Sequence, residues 1–180
     1  ARLALFKDYE SMDSDPIISS ALDIYSDEST MKGEYGQVID IKTDNENIKE
    51  ILNNLFYDIM NIEFNLWPWV RNMVKYGDFF LHLDINEKYG ITNVVPLSPY
   101  EIIRSEGEDE TNPYYTKFYM ESIEGAHPYF GQKTSGTGRI EFENFQIAHF
   151  RLANDSNFLP YGKSMVESTR KIWKQLTLME

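Results

Sequence analysis

The chain has 180 residues, 42% of them hydrophobic and 14% aromatic, which is enough apolar surface to bury one sizeable core and excludes intrinsic disorder. Its 29 acidic against 17 basic residues leave a net charge of -12, which repels a phosphate backbone and excludes a broad electrostatic footprint for nucleic acid. The absence of cysteine excludes disulfides, thiolate zinc sites and cysteine nucleophiles together, and the apolar runs are too short and too often broken by charge to span a membrane.

Taken in chain order, Arg2 to Met12 reads as a short amphipathic segment. Asp15-Pro16 then opens a helix, Asp as N-cap and Pro at the first helical position, with Ile17, Ile18, Ala21, Leu22 and Tyr25 as its buried stripe. That helix frays over Asp27 to Lys32, Gly33 and Gly36 mark a turn, and Gln37 to Lys42 reads as a strand in which Val38 is out of phase with Ile39 and Ile41. Asp44 or Asn45 caps the most strongly periodic helix of the chain. Its Ile48, Ile51, Leu52, Leu55, Phe56, Ile59 and Met60 recur at three- and four-residue steps, which assigns them to the core. Pro68 cannot continue that helix, so a bend or a fresh start near Asn65 leads into Trp69, Val70, Met73 and Val74, closed by Gly77 as a left-handed C-cap.

From Asp78 to Phe150 the pattern changes to short strands: Phe79 to Leu83, Ile91 to Leu97, Tyr115 to Met120, Arg139 to Phe142 and Gln146 to Phe150. Asn86 to Gly90 is a hairpin connection, Glu106 to Asn112 an acidic loop and Gly131 to Gly138 a flexible one. Ser164 to Glu167 matches a capping box, and Met165, Thr169, Ile172, Leu176 and Met179 follow as the stripe of a last helix that reaches Glu180 with no stop signal, as in a fragment. The expected fold class is α+β: a small, mainly antiparallel sheet with flanking helices. One domain is expected over residues 1–180, helical over 1–76 and 162–180 and strand-rich over 78–150.

The candidate chemistry is sparse. Gly131 to Gly138 resembles a phosphate-binding loop in glycine content alone: Thr137 follows Gly136 where a Lys is needed, and a strand follows where a helix should open. His82, His127 and His149 have no paired ligand spacing, so they read as packed residues and no metal is assigned. Glu106, Glu108, Asp109 and Glu110 sit among Gly107, Thr111, Asn112 and Pro113, a solvated loop rather than the rigid strand ends on which metal-dependent catalysis is built. Leu66-Trp67-Pro68-Trp69 is an aromatic corner, a plug between helices or an anchor for a partner. No Gly-x-Ser-x-Gly elbow is present, and nothing in the residues demands an enzyme or a cofactor.

The segments Asp13-Ser14-Asp15-Pro16-Ile17-Ile18-Ser19-Ser20-Ala21-Leu22-Asp23-Ile24-Tyr25, Tyr76-Gly77-Asp78-Phe79-Phe80 and Pro160-Tyr161-Gly162-Lys163-Ser164, in that order, resemble those of the portal proteins of tailed bacteriophages, the T-even type of myovirus and its relatives. The ending Arg170 to Leu176 with Leu178-Met179-Glu180 resembles the helix that in that family continues toward the stem. The resemblance implies a structural subunit of a dodecameric homo-oligomeric ring at one capsid vertex. Through that ring the large terminase subunit drives double-stranded DNA, which passes non-specifically, and neck and tail proteins dock there afterwards. It further implies a location in the virion, with assembly in the host cytoplasm, and no catalytic residues, cofactor or membrane. On this resemblance the chain is a portal wing region without the stem, tunnel loop and crown. Asp15, Pro16, Gly77 and Gly162 would set helix ends, and Trp67, Trp69 and Trp173 are the candidates for ring or inter-element contacts. The competing expectations are a protein-binding adaptor or scaffold module of another viral particle, and a metal-dependent nuclease using the acidic loop and His127.

Overall fold

Asp15 sets where the second helix begins. Its carboxylate accepts the amides of Ile17 at 2.8 Å and Ile18 at 3.4 Å, and Pro16 occupies the first helical position, where an amide would have no helical partner. The computed structural model describes residues 2–108, 110–121, 130, 139–153 and 158–179. Helix α1 spans Arg2–Asp13 and buries Phe6, Tyr9 and Met12, and α2 spans Pro16–Ser29. The inward face of α2 differs from the expected stripe: Leu22 and Ser26 are buried, whereas Ile17 is 80% exposed and Tyr25 is exposed too. The cap fixes the helical phase, and on that phase Ser19 and Asp23 turn inward to meet Arg71. The buried Ser26 hydroxyl donates to the Leu22 carbonyl at 2.7 Å, so it is satisfied within its own helix.

After the turn in which the Gly36 amide donates to the Gly33 carbonyl, the expected strand over residues 37–42 is not formed. Side chains take the backbone groups a ladder would need: the Val38 amide donates to the Glu63 carboxylate at 3.1 Å, and the Ile39 carbonyl accepts the Tyr57 hydroxyl. Asn45, one of the two expected caps, accepts the amides of Asn47 and Ile48 and starts α3, Glu46–Asn53. The helix then widens into a π-helical turn over Asn54–Ile59. The stripe assigned to the core is not core: none of its seven residues is buried, and Ile51 is 66% exposed. The wider turn adds a residue per revolution, so Leu55 to Met60 fall off the line that Ile48 and Ile51 begin.

The next helix restarts earlier than near Asn65. Asn61 adopts φ 45°, and α4 runs over Ile62–Tyr76 with Pro68 inside it. The carbonyl that Pro68 leaves without an amide belongs to Phe64, an exposed residue where water can serve instead. Gly77 closes α4 as expected, with φ 85° and its amide donating to the Met73 carbonyl at 2.7 Å.

The chain forms two compact units, residues 1–79 with 150–180 and residues 80–149. Six strands follow α4: β1 Asp78–Asn86, β2 Gly90–Leu97, β3 Ile102–Glu106, β4 Thr116–Glu121, β5 Arg139–Phe142 and β6 Ile147–Arg151. They form two three-stranded sheets, in the orders β2-β1-β6 and β3-β4-β5, giving the expected α+β class with two small sheets in place of one. β1 pairs antiparallel with β2, and β4 with both β3 and β5. The five expected strands are present. β3 was not anticipated, because Ile102 and Ile103 are its only apolar residues and a two-residue signal carries no period. The Asn86 side chain accepts the amides of Lys88 and Tyr89 to build the expected β1–β2 turn. Inside the second unit Phe80 meets Phe118 edge-on at 6.3 Å, and β1 also carries Leu81 and His82 into the core.

Helix α5, Glu167–Thr177, lacks the expected capping box. The Ser164 hydroxyl is buried, accepts the Val166 amide at 3.1 Å and donates to the Val74 carbonyl at 3.4 Å, so it ties the turn before α5 to the end of α4.

Two stability outcomes follow from this packing. Asp15→Ala is expected to cost about 1 kcal/mol by loss of the cap, read by chemical denaturation. Leu22→Ala should cost about 2–5 kcal/mol, while Ile51→Ala should stay within about 0.5 kcal/mol of the unaltered chain. An equal loss at both positions would put the α3 stripe back in a core.

Candidate functional site

A set of long-range hydrogen bonds in the first unit gathers where α4 hands over to β1. The Leu152 amide donates to the Gly77 carbonyl at 2.9 Å, and the Met165 amide to the Val74 carbonyl at 3.0 Å. The carboxylate of Asp78, the next residue and itself buried, accepts the Gly162 amide at 2.8 Å. These bonds press two backbones together so closely that a Cβ on Gly162 would lie 1.9 Å from the Gly77 oxygen, and one on Gly77 would lie 2.7 Å from Lys163 and Ser164 backbone atoms. Gly162 therefore acts by lacking a side chain at a crossing of chains, and does not set a helix end as expected.

Arg2 completes the junction. Its guanidinium lies 3.7 Å from the Tyr161 ring centroid and 4.9 Å from that of Phe6, and reaches Asp78 at 3.4 Å. Burial lowers its pKa, and the Asp78 carboxylate and Tyr161 work against that shift. Arg2, Phe6, Tyr76, Asp78, Phe158 and Tyr161 line a cavity of about 210 Å³ here. An ion pair sandwiched between aromatic rings holds elements together. It offers no nucleophile or general base with room to act.

A second polar cluster joins the first three long helices. Arg71 of α4 grips Asp13 with two hydrogen bonds of 2.8 and 3.1 Å, and also donates to Asp23 at 2.6 Å and Ser19 at 3.0 Å. Lys75 reaches the same Asp13 at 2.9 Å. The Arg71 hydrogen bonds hold the Asp13 carboxyl well below the usual carboxylate range; burial opposes them and Lys75 adds to them. The same bonds raise the Arg71 pKa. A third cluster binds α5 to α1: Tyr9 donates to Glu167 at 2.6 Å, Arg170 reaches Asp8 at 2.9 Å and Lys174 reaches it at 2.5 Å. Burial, followed by the Glu167 carboxylate, raises the Tyr9 pKa.

The three candidate tryptophans all lie in the first unit, in different surroundings. Trp69 is buried and packs on Phe79 with ring centroids 5.7 Å apart, which makes it a plug between α4 and β1. Trp67 is exposed along one side and donates its indole N–H to Asp27 at 2.6 Å, tying α4 to α2. Trp173 is partly buried on α5.

The candidate chemical groups of the second unit are occupied structurally. His149 stacks on Phe80 at 4.3 Å and lies 3.0 Å from an Arg104 nitrogen. His82 is buried against Phe130 and Phe142, and that burial lowers its pKa while Asp84 pulls the other way. In the acidic loop Glu108 accepts the Ser105 hydroxyl at 2.6 Å and the Tyr119 hydroxyl, and Tyr119 is pushed up to about 12 by that carboxylate. Asp109, His127 and residues 131–138 lie outside the described residues. Among the described residues no group of three or more His, Asp or Glu is placed to hold a metal, and no helix is long and apolar enough to cross a membrane.

Sequence reasoning missed Arg71, Arg2 and Asp78. Signals existed for two of them: Arg71 is the one charged residue between Glu63 and Lys75, and Asp78 stands between a helix-capping glycine and four apolar or aromatic positions of a strand start. Compared with known proteins, the chain matches the family model described as Bacteriophage T4-like portal protein (Gp20) over residues 2–180. No curated protein matches it significantly.

Gly162→Ala is expected to cost about 3 kcal/mol or more, because backbone atoms must move, and insoluble or unfolded protein by circular dichroism is the extreme form of that outcome. Asp13→Asn should cost about 1–3 kcal/mol at neutral pH. The depressed pKa sets the sign of its pH dependence: Asp13 stabilises the fold above its unfolded value of 3.8 and ceases to do so as pH falls toward its folded one. The gap between the unaltered chain and Asp13→Asn, followed by urea unfolding, should thus hold down to about pH 5 and narrow progressively below about pH 4.

Proposed function

The chain belongs to the T4-like portal protein family, and on that premise we propose that it is a wing-region part of the ring subunit through which a phage genome is packaged and ejected. The family is structural and not enzymatic, and its place is the capsid vertex of the virion. In this reading copies of the subunit close into a dodecameric ring, the large terminase subunit docks on it in the host cytoplasm, double-stranded DNA passes through without sequence recognition, and neck and tail proteins bind afterwards.

The observation that carries the proposal is the match over residues 2–180, nearly the whole chain. Its physical support is the use to which the polar residues are put. Arg2, Arg71 and Arg170 are each spent on carboxylates of the same unit, as befits a rigid building block. The net charge of -12 suits a wall that must not hold a moving phosphate backbone. Trp67, Trp69 and Trp173 enter the proposal as inter-element and ring contacts, with Trp69 as the internal one.

Negative-stain electron microscopy and light-scattering mass of the complete gene product are the test. Closed rings of one subunit number are expected. A strictly monomeric product at high concentration would overturn the proposal and favour an adaptor module.

A further inference from the structure

Helix α5 is turned inside out relative to an ordinary surface helix. Its charged residues Glu167, Arg170 and Lys174 face α1 and are bound to Tyr9 and Asp8, while Ile172 is 60% and Leu176 59% exposed, with Lys171 exposed beside them. An apolar stripe of this length facing water is unfavourable unless it is covered in the working state. Helix α3 of the same unit presents the matching anomaly: Ile48 and Ile51 are exposed, with the acidic Asp44, Glu46 and Glu50 exposed around them.

The two faces differ in charge. Arg170 and Lys174 of α5 are held by Asp8 of α1, which leaves Lys171 as the basic residue of its outward face, whereas Glu46 and Glu50 are exposed on α3. Pairing α5 with α5 would bring Lys171 toward Lys171, and pairing α3 with α3 would bring Glu50 toward Glu50. Pairing α5 with α3 joins apolar to apolar and basic to acidic. A closed ring requires this kind of head-to-tail contact, in which two different faces of one subunit meet. The helices are about 16 and 12 Å long, so their stripes can lie along one another.

We propose that the outward face of α5, centred on Ile172 and Leu176, docks on the outward face of α3, centred on Ile48 and Ile51, of a second copy of this chain. The contact rests on the ring-subunit reading and names the surface through which neighbouring copies meet.

The chain contains no cysteine, so introduced thiols report on their own. Ile51→Cys and Ile172→Cys, both at exposed positions, are made separately, mixed in equal amounts at high concentration and oxidised mildly. The cross-linked species are identified by mass spectrometry, and oligomeric mass is read in parallel by light scattering. The expected result is a disulfide between position 51 of one copy and position 172 of another, with the double variant giving a ladder of higher species. Lys171→Glu should lower the yield about fivefold, and Glu50→Lys on the opposing copy should restore it. Oligomers that form without this cross-link, or that give 172–172 links as readily, would overturn the α3–α5 contact and leave the ring reading standing. A chain that stays monomeric and unlinked would overturn the α3–α5 contact, and the ring reading falls only if the complete gene product is monomeric as well.

Discussion

The contact between Gly77 and Gly162 is the constraint on which the first unit depends. The chain leaves α4 at Gly77 to build the second unit and returns past Leu152 to Gly162, and the two passages lie too close for a Cβ on either glycine. Leu152 hydrogen-bonds to one of these residues, Asp78 binds the other, and Arg2 closes the set from the start of α1. A unit made of two separated stretches of chain needs such a fastening, because loop closure over the roughly 70 residues between them carries a substantial entropy cost that local contacts must offset. Two of the three segments that carry the family resemblance, Tyr76 to Phe80 and Pro160 to Ser164, contain the residues of this junction.

The third segment, Asp13 to Tyr25, supplies the other fastening. Asp13, Ser19 and Asp23 converge on Arg71, so that one guanidinium with five donors links α1, α2 and α4. Together with the Asp8–Arg170–Lys174 seam, this spends the interior-facing basic side chains on internal carboxylates and leaves the surface acidic. The same seam explains why α5 shows its apolar side to solvent. Three charged residues anchored on α1 set the rotation of the helix, and Ile172 and Leu176 point away as a consequence.

Legibility in the sequence followed the range of the interaction involved. The Asp15-Pro16 cap, the Gly77 stop and the Asn86 turn are made by groups within a few residues of one another, and each is found where the sequence places it. The strand at 37–42 failed because two distant side chains, Glu63 and Tyr57, take its backbone groups. The helix stripe from Ile48 to Met60 has the right period, yet a period shows only that residues share a face. Whether another element covers that face is not written in it, and the π turn at Asn54–Ile59 breaks the line besides. Trp67 and Trp69, expected at a corner between two helices, lie within the single helix α4, and their different surroundings depend on Asp27 and Phe79.

The sequence by itself determined the α+β class, most element starts and stops and the family, because these rest on caps, turn residues, short periods and motif order. Only the tertiary structure decided which faces are inside, that Gly162 serves a crossing of chains and not a helix end, and that Arg71 and Asp78 are pivots of the first unit. Those outcomes depend on residues 48 to 84 positions apart in the chain meeting in space, and no local pattern records which of many possible meetings the packed chain selects.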